Sequence, residues 1–311
     1  MISNHSSKSY MIGIDIGGTN FRFGAVLQTG QVIHSKIVSS RDSFRHGDPI
    51  EVLTASIGEL IMETDGSPAG ICIGFPGTVS KDKTTVTSCP NLPMFDGINV
   101  SKALNEHFHV PVMVEHEVIL LLCNDMHEFN LFDKDCVIAV YLGTGLGNSM
   151  YIHGRFLEGK NGSSGELGHI PVEGNTQHCP CGNDGCIELR ASGKRLEEIR
   201  NTYFPETANL EEVLKLHASH PVILEFIDCV SIAIATEINI LDPDCILLGG
   251  GVISIPTFPY DSLIDHIRLH TRKPIPESNL EFIRIPKDPH QGIRGAGIYG
   301  WSHIGQSSER F

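Results

Sequence analysis

One histidine and three cysteines lie close together in the middle of the chain and could bind a metal ion. Thiolate sulfur and imidazole nitrogen together favour tetrahedral Zn²⁺, and three cysteines with one histidine form a closed, structural ligand set. Gly182 and Gly185 allow the tight turns that so short a loop requires. The spacing therefore predicts a structural zinc site at His169, Cys179, Cys181 and Cys186.

Two carboxylates flank this cluster. Glu166 precedes His169 by three positions, and Glu188 follows Cys186 by two. If one ion ties the two ends of the loop together, both carboxylates come near one place. Paired carboxylates accept hydrogen bonds from sugar hydroxyls. We therefore expect a polyhydroxyl ligand here, although each glutamate could instead be a solvated surface acid.

A glycine turn after the strand-like run 10–16 could bind phosphate. A second strand-like run, 20–27, follows it, which predicts a hairpin. The tip of such a hairpin exposes backbone N–H groups and a threonine hydroxyl, and an aspartate at its base is placed to meet Mg²⁺. The candidate ATP-binding residues are Asp15, Gly17, Gly18 and Thr19.

A second hairpin of this kind follows the strand-like run 137–142. Its turn fits GxGxG, not GxGxxG, and a strand follows it, which argues against a Rossmann dinucleotide site. The recurrence of strand and hairpin in two halves indicates duplication of one phosphate-binding unit. The candidate ATP-binding residues of the second turn are Gly143, Thr144 and Gly145.

Two further loops have a composition suited to ligand binding. Three glycines after a buried strand let a flat ring lie against the backbone, so we predict an adenosine pocket at Gly249, Gly250 and Gly251. Asn91 follows Pro90 in a stretch that two prolines make rigid. Its amide could contact a sugar, or Asn91 could simply be a turn residue.

Composition and charge exclude several classes of function. The length of 311 residues suggests two domains, and 41% hydrophobic with 19% charged residues is typical of a globular protein. A formal net charge of -14 argues against nucleic acid or a membrane surface as partner. The nine cysteines and the polar stretch 1–9 predict a reduced, cytoplasmic protein without a signal peptide.

Apolar periodicity predicts the elements that must position these residues. Helices are predicted at 49–63, 101–108, 118–127, 192–201, 210–217, 222–241 and 291–304. Strands are predicted at 10–16, 20–27, 32–38, 70–75, 110–114, 137–142, 148–152, 245–248 and 280–285.

Taken in order, these motifs resemble those of the ROK family of sugar kinases. The matching motifs are Asp15-x-Gly17-Gly18-Thr19, Gly143-Thr144-Gly145-x-Gly147, Glu166-x-x-His169, the cysteine cluster through Glu188, and Gly249-Gly250-Gly251. The resemblance covers about residues 10–300. It implies an α/β, actin-like ATPase (ribonuclease H-like) fold, with two lobes around a cleft and a small zinc-stabilised loop. The small lobe would span 1–116, with a terminal helix at about 290–311 packed back onto it, and the large lobe 117–289.

The resemblance also implies a reaction, in which ATP and Mg²⁺ phosphorylate the terminal 6-hydroxyl of a hexose. The hexose would contact Asn91, Glu166, His169 and Glu188. His169 can serve both sugar and zinc, because the metal fixes one ring nitrogen while the other donates. The family also suggests a homodimer.

Three shorter segments bear on the identity of the hexose. Residues 80–83, 90–93 and 176–179 are most similar to D-allose kinases of this family. This favours D-allose as substrate, with glucose and N-acetylmannosamine as alternatives.

The chain departs from the family pattern at the catalytic base. The family has an aspartate within Asn-Asp-x-Asn, whereas this chain has His116-Glu117-Val118-Ile119. Glu117 is the predicted base, and Glu115 is an alternative. The extra methylene moves the carboxylate, and a misplacement of about 1 Å can cost roughly 10²-fold in rate. A sugar-binding sensor that has lost catalysis is therefore a second hypothesis. A ROK repressor would need a helix-turn-helix before the first hairpin, where residues 1–9 are available.

Overall fold

Ten of the described strands form two five-stranded sheets of the same design, and the other two form a small two-stranded sheet. The computed structural model describes residues 9–304. Its strands are β1 (Ser9–Ile16), β2 (Asn20–Val26), β3 (Val32–Ser39), β4 (Ser67–Phe75), β5 (Thr78–Val79), β6 (Val86–Ser88), β7 (Val112–His116), β8 (Cys136–Leu142), β9 (Leu146–Ile152), β10 (Arg155–Phe156), β11 (Cys245–Gly249) and β12 (Phe282–Arg284).

The helices lie mostly between the strands in sequence. They are α1 (Ser40–Ser43), α2 (Pro49–Glu63), α3 (Val100–Phe108), α4 (Glu117–Glu128), α5 (Gly193–Tyr203), α6 (Leu210–His217), α7 (Pro221–Leu241), α8 (Tyr260–His270) and α9 (Gln291–His303). Within the described range, every helix is too short or too polar to cross a membrane.

The described chain divides into two compact units. The first contains residues 9–130, 158–163 and 288–304, and the second contains residues 131–157 and 164–287. The first unit has a five-stranded sheet in the order β3-β2-β1-β4-β7, and the second has β10-β9-β8-β11-β12. In each sheet the hairpin strands are antiparallel and the last two strands are parallel to the central one. This repetition agrees with the duplication predicted from the two hairpins.

Helix α9 packs closely against the first sheet. Glycines on both sides explain the short distance between the helix and the sheet. A Cβ added at Gly13 of β1 would lie 2.1 Å from the carbonyl oxygen of Ile293, and one added at Gly297 of α9 would lie 2.4 Å from Val26. The terminal helix therefore belongs to the first unit, although about 150 residues of the second unit separate it from α4 in sequence.

The first unit extends further along the chain than the boundary predicted at residue 116. It includes α4, because α4 also packs on α9: a Cβ added at Gly295 would lie 1.9 Å from the carbonyl oxygen of Leu120. Helix α8 was not predicted, although its buried Leu263 and Ile267 lie one turn apart. The last strand is shorter than predicted, Phe282–Arg284 in place of 280–285.

We predict that Gly13→Ala destabilises the protein strongly. The new methyl group would meet the backbone of α9, which cannot move aside as a side chain could. We therefore expect the free energy of unfolding to fall by about 1–3 kcal/mol, near the upper value. The matched control is Gly58→Ala in α2, where a Cβ meets no atom within 4 Å. That change should stabilise the protein by about 0.5–1 kcal/mol. Equal urea unfolding curves for the two variants would contradict the packing argument.

Candidate active site

The first hairpin places a buried carboxylate next to a cation. Asp15 lies at the end of β1 and is 7% exposed, directly across from Arg22 of β2. Arg22 Nη1 donates a hydrogen bond to Asp15 Oδ2 at 2.9 Å. Burial raises the pKa of Asp15, and the Arg22 charge opposes this effect. Gly18 and Thr19 are exposed at the tip, where backbone N–H groups can face a ligand.

Asn91 lies beside this hairpin. A Cβ added at Gly18 would be 3.8 Å from the Cβ of Asn91, and Asn91 is exposed. The structure therefore brings the predicted sugar-binding amide together with the predicted phosphate-binding turn in the first unit.

Glu117 faces the same cavity as Asp15. It is the first residue of α4 and follows directly after β7, whose carboxyl end lies at the same edge of the sheet as that of β1. The cavity has a volume of about 200 Å³ and is lined by Asp15, Gly17, Arg22, Glu117, Leu121, Asp288, Pro289, Gln291 and Gly292. Burial, and secondly the charge of Asp15, raise the pKa of Glu117 to about 8, while Arg22 lowers it.

Glu115, the alternative base, is placed differently. It is 0% exposed, and Lys83 Nζ lies 2.6 Å from its Oε2. The Tyr299 hydroxyl donates to the same oxygen at 2.7 Å, and the backbone N–H of His116 donates to Oε1 at 2.9 Å. Both oxygens are thus engaged, and Glu115 is not among the residues that line the cavity.

The oxygen atoms around this cavity suit a hard divalent cation. Carboxylate and amide oxygens are the ligands that Mg²⁺ accepts, usually one or two carboxylates together with water and phosphate oxygens. Asp15 would be the protein ligand, with Asp288 and Gln291 within the same lining. Because Arg22 is paired with Asp15, a cation bound there would compete with that pair.

The second hairpin is held by the carboxylate of Glu188. The backbone N–H of Leu146 donates to Glu188 Oε2 at 2.8 Å, and a Cβ added at Gly145 would lie 2.4 Å from this oxygen. The start of α5 also supports the turn, because Gly193 N–H donates to the carbonyl oxygen of Gly143 at 2.9 Å. Glu188 therefore links the cysteine-rich loop to the predicted phosphate-binding turn, a role that its flanking position alone did not indicate.

The predicted metal ligands come together as a compact cluster. The ligand atoms of His169, Cys179, Cys181 and Cys186 all lie within 4.8 Å of one another. Cys181 Sγ and Cys186 Sγ are 3.6 Å apart, and His169 Nδ1 is 3.8 Å from Cys179 Sγ. Metal–sulfur bonds of about 2.3 Å in a tetrahedron give sulfur–sulfur separations of about 3.8 Å. The four donors therefore fit a tetrahedral metal ion.

The two ring nitrogens of His169 face different partners. Nδ1 points to the cysteine sulfurs, whereas Nε2 lies 3.6 Å from Oε2 of Glu166. Burial raises the pKa of Glu166, the His169 charge lowers it, and the charge of Glu188 raises it further. Glu166 thus lies next to one imidazole nitrogen of the cysteine–histidine cluster and within electrostatic reach of Glu188.

The three glycines at the end of β11, where an adenosine pocket was predicted, are partly explained by packing within the protein. A Cβ at Gly249 would lie 2.8 Å from Ile285, and one at Gly250 would lie 2.5 Å from the carbonyl oxygen of Leu142. Internal packing therefore accounts for two of the three glycines. Gly251 has no atom within 4 Å of an added Cβ, so open space for a ligand lies at that position.

Sequence reasoning missed three residues with polar or charged side chains that line the first cavity. Arg22 could have been found, because it directly opposes Asp15 in the register of the predicted hairpin. Asp288 and Gln291 follow Asp15 by more than 270 residues. No local signal connects them with the hairpin.

Comparison with known proteins gives consistent matches along the chain. A sequence profile of the ROK family matches residues 11–299. Glucokinase of Thermotoga maritima is 30% identical over 274 residues, covering 79% of this chain and 83% of that protein. N-acetyl-D-glucosamine kinase of Photobacterium profundum is 27% identical over 309 residues, covering 92% and 97%.

A solved structure is similar over a comparable length. The ROK family glucokinase from Streptomyces griseus, in complex with glucose and AMPPNP, has a TM-score of 0.76 at 23% identity, covering 93% of this chain and 98% of that one. At this level of identity the likeness concerns the fold. It agrees with the α/β class and is consistent with the predicted actin-like ATPase fold.

Proposed function

The chain belongs to the ROK family, and we propose that it is a sugar kinase that transfers the terminal phosphoryl group of ATP to the 6-hydroxyl of a hexose. The observation that carries this proposal is the convergence of Asp15 and Glu117 on one cavity. Phosphoryl transfer needs a group that orients and deprotonates the attacking hydroxyl, and charge stabilisation around the phosphates.

Glu117 is the general base in this proposal. Its carboxylate takes the proton of the 6-hydroxyl as the oxygen attacks phosphorus. A base is most effective when its pKa lies near the working pH, because it is then both deprotonated and sufficiently basic. Burial and the nearby Asp15 raise the pKa of Glu117 to about 8, which suits this task better than the usual value of a glutamate.

Three glycine-containing segments would contact ATP. The first hairpin, at Gly17, Gly18 and Thr19, offers backbone N–H groups to the phosphates, and Asp15 would hold Mg²⁺, which neutralises phosphate charge when bound. The second hairpin, at Gly143, Thr144 and Gly145, would offer the same type of contact. The segment Gly249, Gly250 and Gly251 would receive adenosine, with Gly251 at the open position.

The hexose would be bound by acceptors and one imidazole donor. Glu166 and Glu188 accept hydrogen bonds from sugar hydroxyls, the Nε2 side of His169 contacts the sugar, and Asn91 contributes its amide. A structural Zn²⁺ on the Cys179, Cys181, Cys186 and His169 cluster would hold this loop in shape. Thiolates with imidazole are the donor set that zinc prefers.

D-Allose is our specific proposal for the hexose. It is supported by the local resemblance of residues 80–83, 90–93 and 176–179 to D-allose kinases. The relatives described above act, by their names, on glucose and on N-acetyl-D-glucosamine. These sugars, together with N-acetylmannosamine, are therefore the competing substrates.

A coupled assay of ADP release from MgATP tests both the reaction and the sugar. The panel contains D-allose, D-glucose, D-mannose, N-acetylmannosamine and N-acetylglucosamine. We expect turnover with D-allose at a kcat/KM at least about tenfold above the others, a discrimination of roughly 1.4 kcal/mol. A larger kcat/KM with another hexose would refute D-allose and retain the kinase. No turnover on any sugar, with sugar-induced thermal stabilisation, would instead support a catalytically impaired sensor.

A further inference from the structure

The turn that carries Glu117 is held from outside the helix. Strand β7 ends at His116, and α4 begins at Glu117. The first N–H groups of a helix have no partners within it and are usually satisfied by a capping side chain. The side chain of His116 makes no such bond. Instead, its backbone N–H donates to Glu115 Oε1 at 2.9 Å, so the carboxylate of Glu115 fixes the backbone immediately before Glu117.

The carboxylate of Glu115 is itself held at its second oxygen. Oε2 accepts a hydrogen bond from the hydroxyl of Tyr299 at 2.7 Å, and Lys83 Nζ lies 2.6 Å away. The side chain of Glu115 is fully buried. A buried carboxylate is stable only when a cation and hydrogen bonds satisfy it, so its position is narrowly defined by these partners.

Lys83 lies in the turn between β5 and β6. Its backbone has a left-handed φ of 58°, its N–H donates to Ser80, and its carbonyl oxygen accepts from Val114 of β7. Its ammonium group also lies 3.1 Å from Oε1 of Glu158. The loop 80–83, one of the segments similar to D-allose kinases, therefore docks on the strand that leads to Glu117.

Tyr299 links the same carboxylate to α9. The start of α9 also packs against Asp15, which lines the cavity together with Glu117. A Cβ added at Gly292 would lie 2.4 Å from Cγ of Asp15. One helix thus supports the positions of both Asp15 and the turn before Glu117.

We propose that Lys83, Glu115 and Tyr299 are positioning residues that fix the β7–α4 turn, so that the carboxylate of Glu117 meets the sugar hydroxyl. They act through Glu117 and touch neither substrate nor the reacting atoms. The inference rests on the proposed kinase function. A misplacement of about 1 Å can cost roughly 10²-fold in rate, so loosening this turn should lower kcat far more than it changes binding.

The least disruptive test is Tyr299→Phe, which removes one hydroxyl and leaves the Lys83–Glu115 pair. We expect kcat to fall about tenfold, because the turn is loosened rather than lost, while KM for sugar and for ATP stays within about twofold. Tyr10→Phe in β1 is the matched control. Its hydroxyl is also buried in the first unit but hydrogen-bonds to no described residue, so kcat should be unchanged.

A second pair of variants separates charge from shape. Lys83→Arg keeps a cation near Glu115, whereas Lys83→Met leaves the buried carboxylate without one. We expect Lys83→Arg to retain a higher kcat than Lys83→Met, with sugar-induced thermal stabilisation preserved in both. Melting temperatures are measured alongside, since a purely structural role would lower Tm without lowering kcat of the folded protein.

The outcomes distinguish this inference from the proposed function. If the wild type phosphorylates a hexose and Tyr299→Phe has the same kcat as Tyr10→Phe, the positioning role is refuted and the kinase stands. If Lys83→Met does not fold, the comparison of the two tyrosine variants still decides. If the wild type turns over no hexose at all, the proposed function fails and this inference fails with it.

Discussion

Glu117→Gln is expected to lower kcat by on the order of 10²–10⁴-fold, the usual contribution of a general base. The amide is nearly the same size as the carboxylate, so sugar and ATP should still bind. The measurement is ADP release at saturating substrate, with sugar-induced thermal stabilisation as the record of binding. Glu106→Gln in α3 is the control. Its side chain is 68% exposed, and its Oε1 forms a surface ion pair with Lys102 Nζ at 3.9 Å, so kcat should not change.

The same substitution should stabilise the folded protein at alkaline pH. The pKa of Glu117 is about 8 in the folded protein and near 4.5 when exposed. Between these values the unfolded chain binds fewer protons than the folded chain, so wild-type stability falls as pH rises. Glutamine stays neutral and avoids this loss. We expect similar melting temperatures at pH 5 and a higher melting temperature for Glu117→Gln at pH 8.

The pH profile of the wild type follows from the same shift. The base must be deprotonated to act, so kcat/KM should rise with pH through about 8. Two results would contradict the role of Glu117: a variant within about tenfold of wild-type turnover, or an ascending limb near pH 4.5. A variant that is inactive yet more stable at pH 8 would separate loss of chemistry from loss of folding.

Cys179→Ser should remove the bound metal and with it the sugar site. Structural zinc contributes about 10–16 kcal/mol of apparent binding energy in small peptides, so loss of one thiolate is expected to disorder the loop. Glu166 and Glu188 belong to that loop or its flank, whereas the first hairpin lies in the other unit. We therefore expect about one zinc per chain in the wild type, much less in Cys179→Ser, and a larger loss of sugar binding than of ATP binding.

The control for this prediction is Cys229→Ser in α7. Cys229 is partly buried and lies outside the cluster. Its replacement should leave the zinc content and sugar binding unchanged. Metal content is measured by mass spectrometry, and ligand binding by calorimetry with sugar and with a non-hydrolysable ATP analogue. Equal loss of sugar and ATP binding on chelation would show that the metal supports more than the sugar loop.

Features that are local in sequence were predictable. The two hairpins, and the cluster of His169, Cys179, Cys181 and Cys186, each lie within a short segment. Glycine turns and ligand spacing determine such local geometry, because few backbone conformations can close so short a loop. The repeated strand-and-hairpin pattern indicated duplication of one unit, and the two five-stranded sheets indeed have the same arrangement of strands.

Contacts between distant segments were decided by the tertiary structure. Composition and motif could not tell whether Glu115 or Glu117 faces the cavity, since the two are only two positions apart. Lys83 and Tyr299, which engage Glu115, come from a distant loop and from α9. Likewise, packing of Gly249 and Gly250 against Ile285 and Leu142 depends on strands that meet only in the folded sheet.

The meeting of Asp15 with Glu117 shows why the sequence by itself could not be sufficient. It determined the two carboxylates, their hairpin and helix, and the family to which they point. Only the sheet order β1-β4-β7 brings them together, because parallel strands place their carboxyl ends at the same edge. The raised pKa of Glu117 follows from burial and, secondly, from that proximity, and both are properties of the fold, not of the residue.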